Sequence, residues 1–159
     1  MAFTIQEIID IAIIIEETGY EFYFQYGGRL KDTVVSDVFD FLAREELAHK
    51  EIFQSLRQQD EAMGIIPEEY SDYLKAIGGG RVFAEQKMDM AQILAGINSP
   101  LDAVKHAFNA EKESILFYSK MKDLYPNESE TRSLLDRIIA EERKHVITLV
   151  DLAEKIRLI

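Results

Sequence analysis

Cysteine is absent from this 159-residue chain. That absence excludes disulfides, thiolate zinc sites, iron–sulfur clusters and thiol catalysis, so any bound metal must be held by oxygen and nitrogen. Basic residues are scarce as well: 18 lysines and arginines stand against 29 aspartates and glutamates, a formal net charge of -11. Nucleic acid and anionic lipid select basic surfaces, so both are disfavoured as partners, whereas cations are attracted. Long apolar runs are also missing. The stretch Ile11 to Ile15 is far too short to span a bilayer, and no basic segment precedes a signal-peptide core, which leads to the expectation of a cytoplasmic protein. The hydrophobic content of 47% is enough for one domain, residues 1–159, to bury a core without covalent staples.

What is present is helical periodicity. From about Thr4 to Tyr26, Ile5, Ile9, Ala12, Glu16, Gly19 and Tyr23 recur at three- and four-residue steps, and Gly27-Gly28 is expected to end that helix. A second helix is expected from about Asp32 to Gln59, with Val35, Phe39, Leu42, Glu46, His49, Phe53 and Leu56 facing inward. Ser99 as N-cap with Pro100 in the first turn starts a third, reaching about Leu124, whose stripe is Val104, Ala107, Glu111, Ser114 and Tyr118. Pro126 stops the chain there. Asn127 and Glu130 have capping-box spacing for a fourth helix to about Arg157, with Leu135, Ile138, Glu142, His145, Leu149 and Leu152 inward. Residues 60–98 hold a short helix from Pro67 to Ile77, then Gly78-Gly79-Gly80 and another apolar stretch. The fold class is all-α, a four-helix bundle with one long crossover connection between the second and third helices.

Two of the three histidines follow a glutamate by three residues, in Glu46-Leu-Ala-His49 and Glu142-Arg-Lys-His145. Residues three apart project from one helix face, so a carboxylate and an imidazole converge on one ion. Each pair has a glutamate upstream, Glu16 or Glu111, followed seven residues later by Tyr23 or Tyr118. The interval from Glu16 to Glu46 is 30 residues and from Glu111 to Glu142 is 31, an internal repeat that preserves chemistry. Measured from the turns that join the helices, all six residues fall near mid-bundle. Carboxylate and imidazole ligands suit divalent iron or manganese, and bridging carboxylates hold two such ions close together. Glu46 and Glu142 are expected to bridge, Glu16 with His49 to complete one ion's shell, and Glu111 with His145 the other's. A single Glu-x-x-His is ordinarily a solvated helix face. Duplication on apolar stripes weighs against that, because unpaired burial of four charges is costly without a cation.

Glu45, Glu141 and Glu17 adjoin these positions but lie about 100° round the helix, and read as surface charges. His106, about 140° off the Glu111 stripe, reads as an interface histidine with satisfied bonds. Tyr23 and Tyr118 read either as core packing or as hydrogen-bond donors to a ligand carboxylate. Helical side chains lean toward the N-terminus, which here is toward the site.

At these residues the chain resembles the ferritin-like superfamily, and most closely the rubrerythrin-like di-iron carboxylate proteins. The likeness covers all four long helices. Glu16 and Glu111 match the single-glutamate positions, Glu46-x-x-His49 and Glu142-x-x-His145 match the two Glu-x-x-His motifs, and Tyr23 and Tyr118 resemble the tyrosines beside the metals. The resemblance implies a ferritin-like bundle holding two iron ions, with manganese or a mixed pair as variants, that cycle between ferrous and ferric states while reducing peroxide or dioxygen. The implied activity is an oxidoreductase of peroxidase or ferroxidase type. Rubrerythrins add a cysteine-ligated rubredoxin domain, which a chain without cysteine lacks. They also carry an extra glutamate where this chain has Ser114, Glu113 standing one residue early. The partners expected are peroxide or dioxygen and an external, rubredoxin-like electron donor, with no nucleic acid and no membrane, in a homodimer or higher homo-oligomer. Iron handling or storage of ferroxidase type, and a non-catalytic metal-binding bundle, are the competing functions.

Overall fold

The computed structural model describes residues 4–30, 33–59, 66–77 and 89–157. Among them are six helices: α1 (Ile5–Arg29), α2 (Val34–Gln59), α3 (Glu68–Ile77), α4 (Met90–Ala95), α5 (Pro100–Lys122) and α6 (Glu130–Arg157). The four long ones form the expected all-α bundle, α1 packed along α2 and α5 along α6. In the crossover, α3 packs on α5 and α4 on α1. Asp32, Gly78-Gly79-Gly80 and residues 60–65 and 81–88 lie outside the described residues. No helix among those described is long and apolar enough to cross a membrane.

Helix starts follow local chemistry. Thr4 and Glu7 form a reciprocal capping box at α1, the Thr4 hydroxyl accepting from the Glu7 N–H at 3.2 Å and the Glu7 carboxylate from the Thr4 N–H at 2.7 Å. Ser99 caps α5 by accepting from the Asp102 N–H at 3.1 Å. Thr33 caps α2 through the Ser36 N–H at 3.1 Å.

Two boundaries differ from the sequence reading. First, α1 runs through Gly27-Gly28 to Arg29. Gly27 is buried against α2, where a Cβ would stand 3.2 Å from the Phe39 Cβ, so this glycine permits close helix approach and does not terminate anything. Second, the Asn127–Glu130 box does not form. A turn closed by the Ser129 N–H on the Pro126 carbonyl (3.0 Å) encloses Asn127, and the Ser129 hydroxyl caps α6 by accepting from the Arg132 N–H at 3.1 Å.

All the inward stripes are buried except half-buried Gly19. They build two apolar clusters. One gathers Ile8, Ile9, Phe53, Leu56, Phe117, Met121, Leu135 and Ile138, and the other Phe22, Phe39, Leu42, Val104, Leu149 and Leu152. Each such side chain contributes about 1.5–3 kcal/mol on burial. The glutamates and histidines of the stripes lie between the clusters.

The cap assignment is testable by thermal melting. Ser129→Ala should destabilise by about 1 kcal/mol, lowering Tm by roughly 2–4 °C, whereas Asn127→Ala should change it little. Equal losses would return the cap to Asn127.

Candidate metal centre

Each long helix turns polar side chains inward at one level. Glu16 on α1, Glu46 and His49 on α2, Glu111 on α5, and Glu142 and His145 on α6 are all buried, none more than 3% exposed. Donor atoms of Glu16, Glu46, His49 and Glu142 lie within 4.8 Å of one another, as do those of Glu46, Glu111, Glu142 and His145. Glu46 and Glu142 belong to both groups. The grouping follows the repeat, two sets of donor atoms that share two carboxylates.

Both histidines direct Nδ1 inward. His49 Nδ1 is 2.9 Å from Glu142 Oε1 and 3.5 Å from Glu16 Oε2. His145 Nδ1 is 3.0 Å from Glu142 Oε2, 3.4 Å from Glu46 Oε1 and 3.5 Å from Glu111 Oε1. The tyrosines reach across the repeat. The Tyr23 hydroxyl, from α1, donates to Glu111 Oε1 at 2.6 Å, and the Tyr118 hydroxyl, from α5, donates to Glu16 Oε1. Their rings belong to opposite apolar clusters, so both roles read from the sequence are realised at once.

Sequence reasoning missed two features. Gly19 carries no side chain because a Cβ there would stand 2.6 Å from Glu46 Oε2, closer than real contacts allow. Glu45 and Glu141 are not simple surface charges: both are half-buried beside the outer nitrogens of the histidines. Glu141 Oε2 lies 2.7 Å from His49 Nε2, and Glu45 Oε2 3.8 Å from His145 Nε2. The signal was the doublet Glu-Glu-x-x-His in both halves, whose meaning depends on how α2 faces α6. Glu17 does pair at the surface, 3.7 Å from Lys50 Nζ. His106 stays off the cluster, its ring 4.7 Å from that of Phe22.

The electrostatics follow from crowding without water. Burial, then the charges of Glu111, Glu142 and Glu16, holds Glu46 well above the usual carboxylate range. Burial, then Glu111 and Glu16, does the same for Glu142. Burial pushes Glu111 upward too, but hydrogen bonds with Glu142, His145 and Tyr23 outweigh it and leave this carboxyl lowered. For His49, burial favours the neutral ring, yet Glu16, Glu46 and Glu141 prevail and raise it to about 9. His145 is raised further by Glu111, Glu142 and Glu46 against the same opposing burial. Burial and the adjacent carboxylates hold both tyrosines well above their ordinary value, so the phenols keep their protons.

The donor set fits two divalent cations. Glu16 Oε2 and Glu46 Oε1 are buried with no hydrogen-bond partner among the described residues, and both stand within 3.5 Å of an inward Nδ1. Buried carboxylate oxygens without partners are costly, and a cation is the partner that this arrangement admits. Four carboxylates balance two divalent ions while the imidazoles stay neutral.

The Rubrerythrin family model matches residues 7–153. A crystal structure from Thermotoga maritima, assigned as a ferritin-like diiron-carboxylate protein, superposes with a TM-score of 0.73 at 25% identity, covering 97% of each chain. No curated protein matches by sequence.

The protonation pattern gives a signed prediction for the chelated protein. His49, raised from 6.5 to about 9, contributes stability that is complete below about pH 6.5 and lost as pH rises through 9. Glu46 and Glu142, also raised, act in the same direction. The Tm of chelator-treated protein should therefore fall between pH 6.5 and 9, while that of the zinc-loaded form stays flatter because the metal has displaced those protons. Parallel curves would contradict a coupled, buried cluster.

Proposed function

The chain belongs to the rubrerythrin family, and on that premise we propose that it holds two iron ions and acts as an oxidoreductase reducing peroxide or dioxygen. The observation that carries this reading is the pair of four-residue clusters sharing Glu46 and Glu142. In the proposed centre these two glutamates would be shared between the ions. Glu16 and His49 complete one shell, and Glu111 and His145 the other.

A cavity of about 70 Å³ between α1 and α5 reaches Gly19, Glu46, Glu111 and Tyr23. That space is ample for a molecule the size of peroxide or dioxygen. Its walls are mostly apolar, including Ile14, Phe22 and Phe117, and Ile77 of α3 with Met90 and Ile93 of α4 closes it on the crossover side. Such walls admit a small neutral oxidant and hold back bulk water and ions. Gly19 and Ser114, three residues after Glu16 and Glu111, keep the inner end open.

Two ferrous ions held by these residues would supply the two electrons that, with two protons, reduce one peroxide to two waters. Tyr23 and Tyr118 each fix Oε1 of a terminal glutamate and leave its other oxygen for the ion. As donors to Glu111 and Glu16, these phenols orient the two carboxylates. Repeated turnover draws electrons from an external donor.

Anaerobic ferrous titration followed by oxidant tests the reading. Binding should saturate at two ions per chain, and the loaded protein should react with both oxidants at rates within about an order of magnitude. Gly19 and Ser114 offer no extra carboxylate to exchange for a histidine during oxidation, so strong peroxide selectivity is not expected. Iron accumulating well beyond two per chain would favour iron handling, and no reaction would favour a non-catalytic bundle. Glu46→Ala or Glu142→Ala should empty both ion positions, and His49→Ala mainly one. Metal analysis finding two ions in both glutamate variants would overturn the bridging assignment.

A further inference from the structure

We propose that Glu141 and Glu45 are positioning residues for the metal-site histidines, each accepting a hydrogen bond from the outer nitrogen of the imidazole contributed by the opposite half. The inference rests on the metal-centre reading above. A neutral histidine that presents Nδ1 to a metal carries its proton on Nε2. That N–H is sealed from solvent here, since His49 is 1% and His145 2% exposed, so a protein acceptor has to satisfy it. For His49 the acceptor is in place, with Glu141 Oε2 at 2.7 Å. For His145 it stands ready. Nε2 is buried without a hydrogen-bond partner among the described residues, and the nearest carboxylate oxygen to which it is paired, Glu45 Oε2, is 3.8 Å away on a side chain that is 35% exposed. A small rotation closes the gap.

The two acids are equivalent under the repeat, each immediately preceding a shared glutamate. They meet on the α2–α6 side, where donor atoms of Glu45, His49 and Glu141 lie within 4.8 Å of one another. The cavity lies on the other side, between α1 and α5. A third cation among those three atoms would have to displace the Nε2 proton of a ring already turned to the centre, so hydrogen bonding is the role that the geometry favours. An ionised acceptor behind an imidazole fixes its tautomer and raises its basicity toward the metal. Loss of such a partner typically weakens metal affinity by about 10–100-fold.

Cobalt(II) substitution of the full chain separates this role from simple structural support. Proton NMR of the cobalt-loaded parent should show two exchangeable, paramagnetically shifted imidazole N–H resonances, one per histidine. Glu141→Ala should accelerate exchange of one resonance and weaken one cobalt ion by about 10–100-fold, and Glu45→Ala should do the same to the other. Glu141→Gln, which keeps a carbonyl acceptor, should preserve slow exchange and lose less affinity. Both positions are partly exposed on long helices, and circular dichroism checks that the variants fold. Parent-like affinities and exchange rates in both alanine variants would overturn the assignment while leaving the metal centre intact. A parent that binds no cobalt would overturn both. A parent that binds two ions but reduces no oxidant would remove the proposed activity alone, and this assignment would stand.

Discussion

Four carboxylates are buried together at the middle of this bundle, and most of the molecule can be read as a response to that. The repulsion and desolvation among Glu16, Glu46, Glu111 and Glu142 cannot be offset locally, so apolar layers on both sides have to hold the helices together across it. The two inward imidazoles and the two phenols reduce the imbalance without removing it. In the metal-free chain, burial and crowding raise Glu46 and Glu142 so that protons on these two carboxyls supply much of the rest. A cation in the proposed centre would take the place of those protons and so bear on stability as well as on reactivity.

The second organising feature is the near two-fold relation between the halves. The hairpins α1–α2 and α5–α6 each bring one lone glutamate and one Glu-x-x-His, and neither half contains a complete centre. Several of the buried hydrogen bonds then run between halves. Tyr23 serves Glu111, Tyr118 serves Glu16, and Glu141 meets His49. Bundle assembly and site assembly are therefore one event, and an error in the relative height of the hairpins would break every one of these bonds together.

Much of this was legible before any coordinates. The four stripes and the gathering of the six glutamates and histidines at one level follow from three- and four-residue spacing, because a helix converts sequence interval into direction with little ambiguity. Helix ends were less legible. Gly27-Gly28 has a terminator's composition, and only the closeness of Phe39 across the interface shows why the helix continues. Asn127 and Ser129 are both competent caps, and the turn beginning at Pro126 decides between them. Glu45 and Glu141 were misread because a helical wheel describes one helix alone. Residues 100° off the buried stripe face solvent on an isolated cylinder, but face a neighbour's imidazole when α2 and α6 converge.

The three glycines of α1 bear on how this protein can be altered. Exchanging a helical glycine for alanine is a routine route to a more heat-resistant protein, gaining up to about 1 kcal/mol where the site has room. Here the room is unevenly distributed. Gly28 has nothing within 4 Å of a new methyl group, Gly27 would press on Phe39, and Gly19 would press directly on the Glu46 carboxylate. An engineer guided by helix propensity would treat the three alike. Only Gly28 is open to the exchange without cost, and the weak point that Gly19 leaves in the helix is the space in which the Glu46 carboxylate sits.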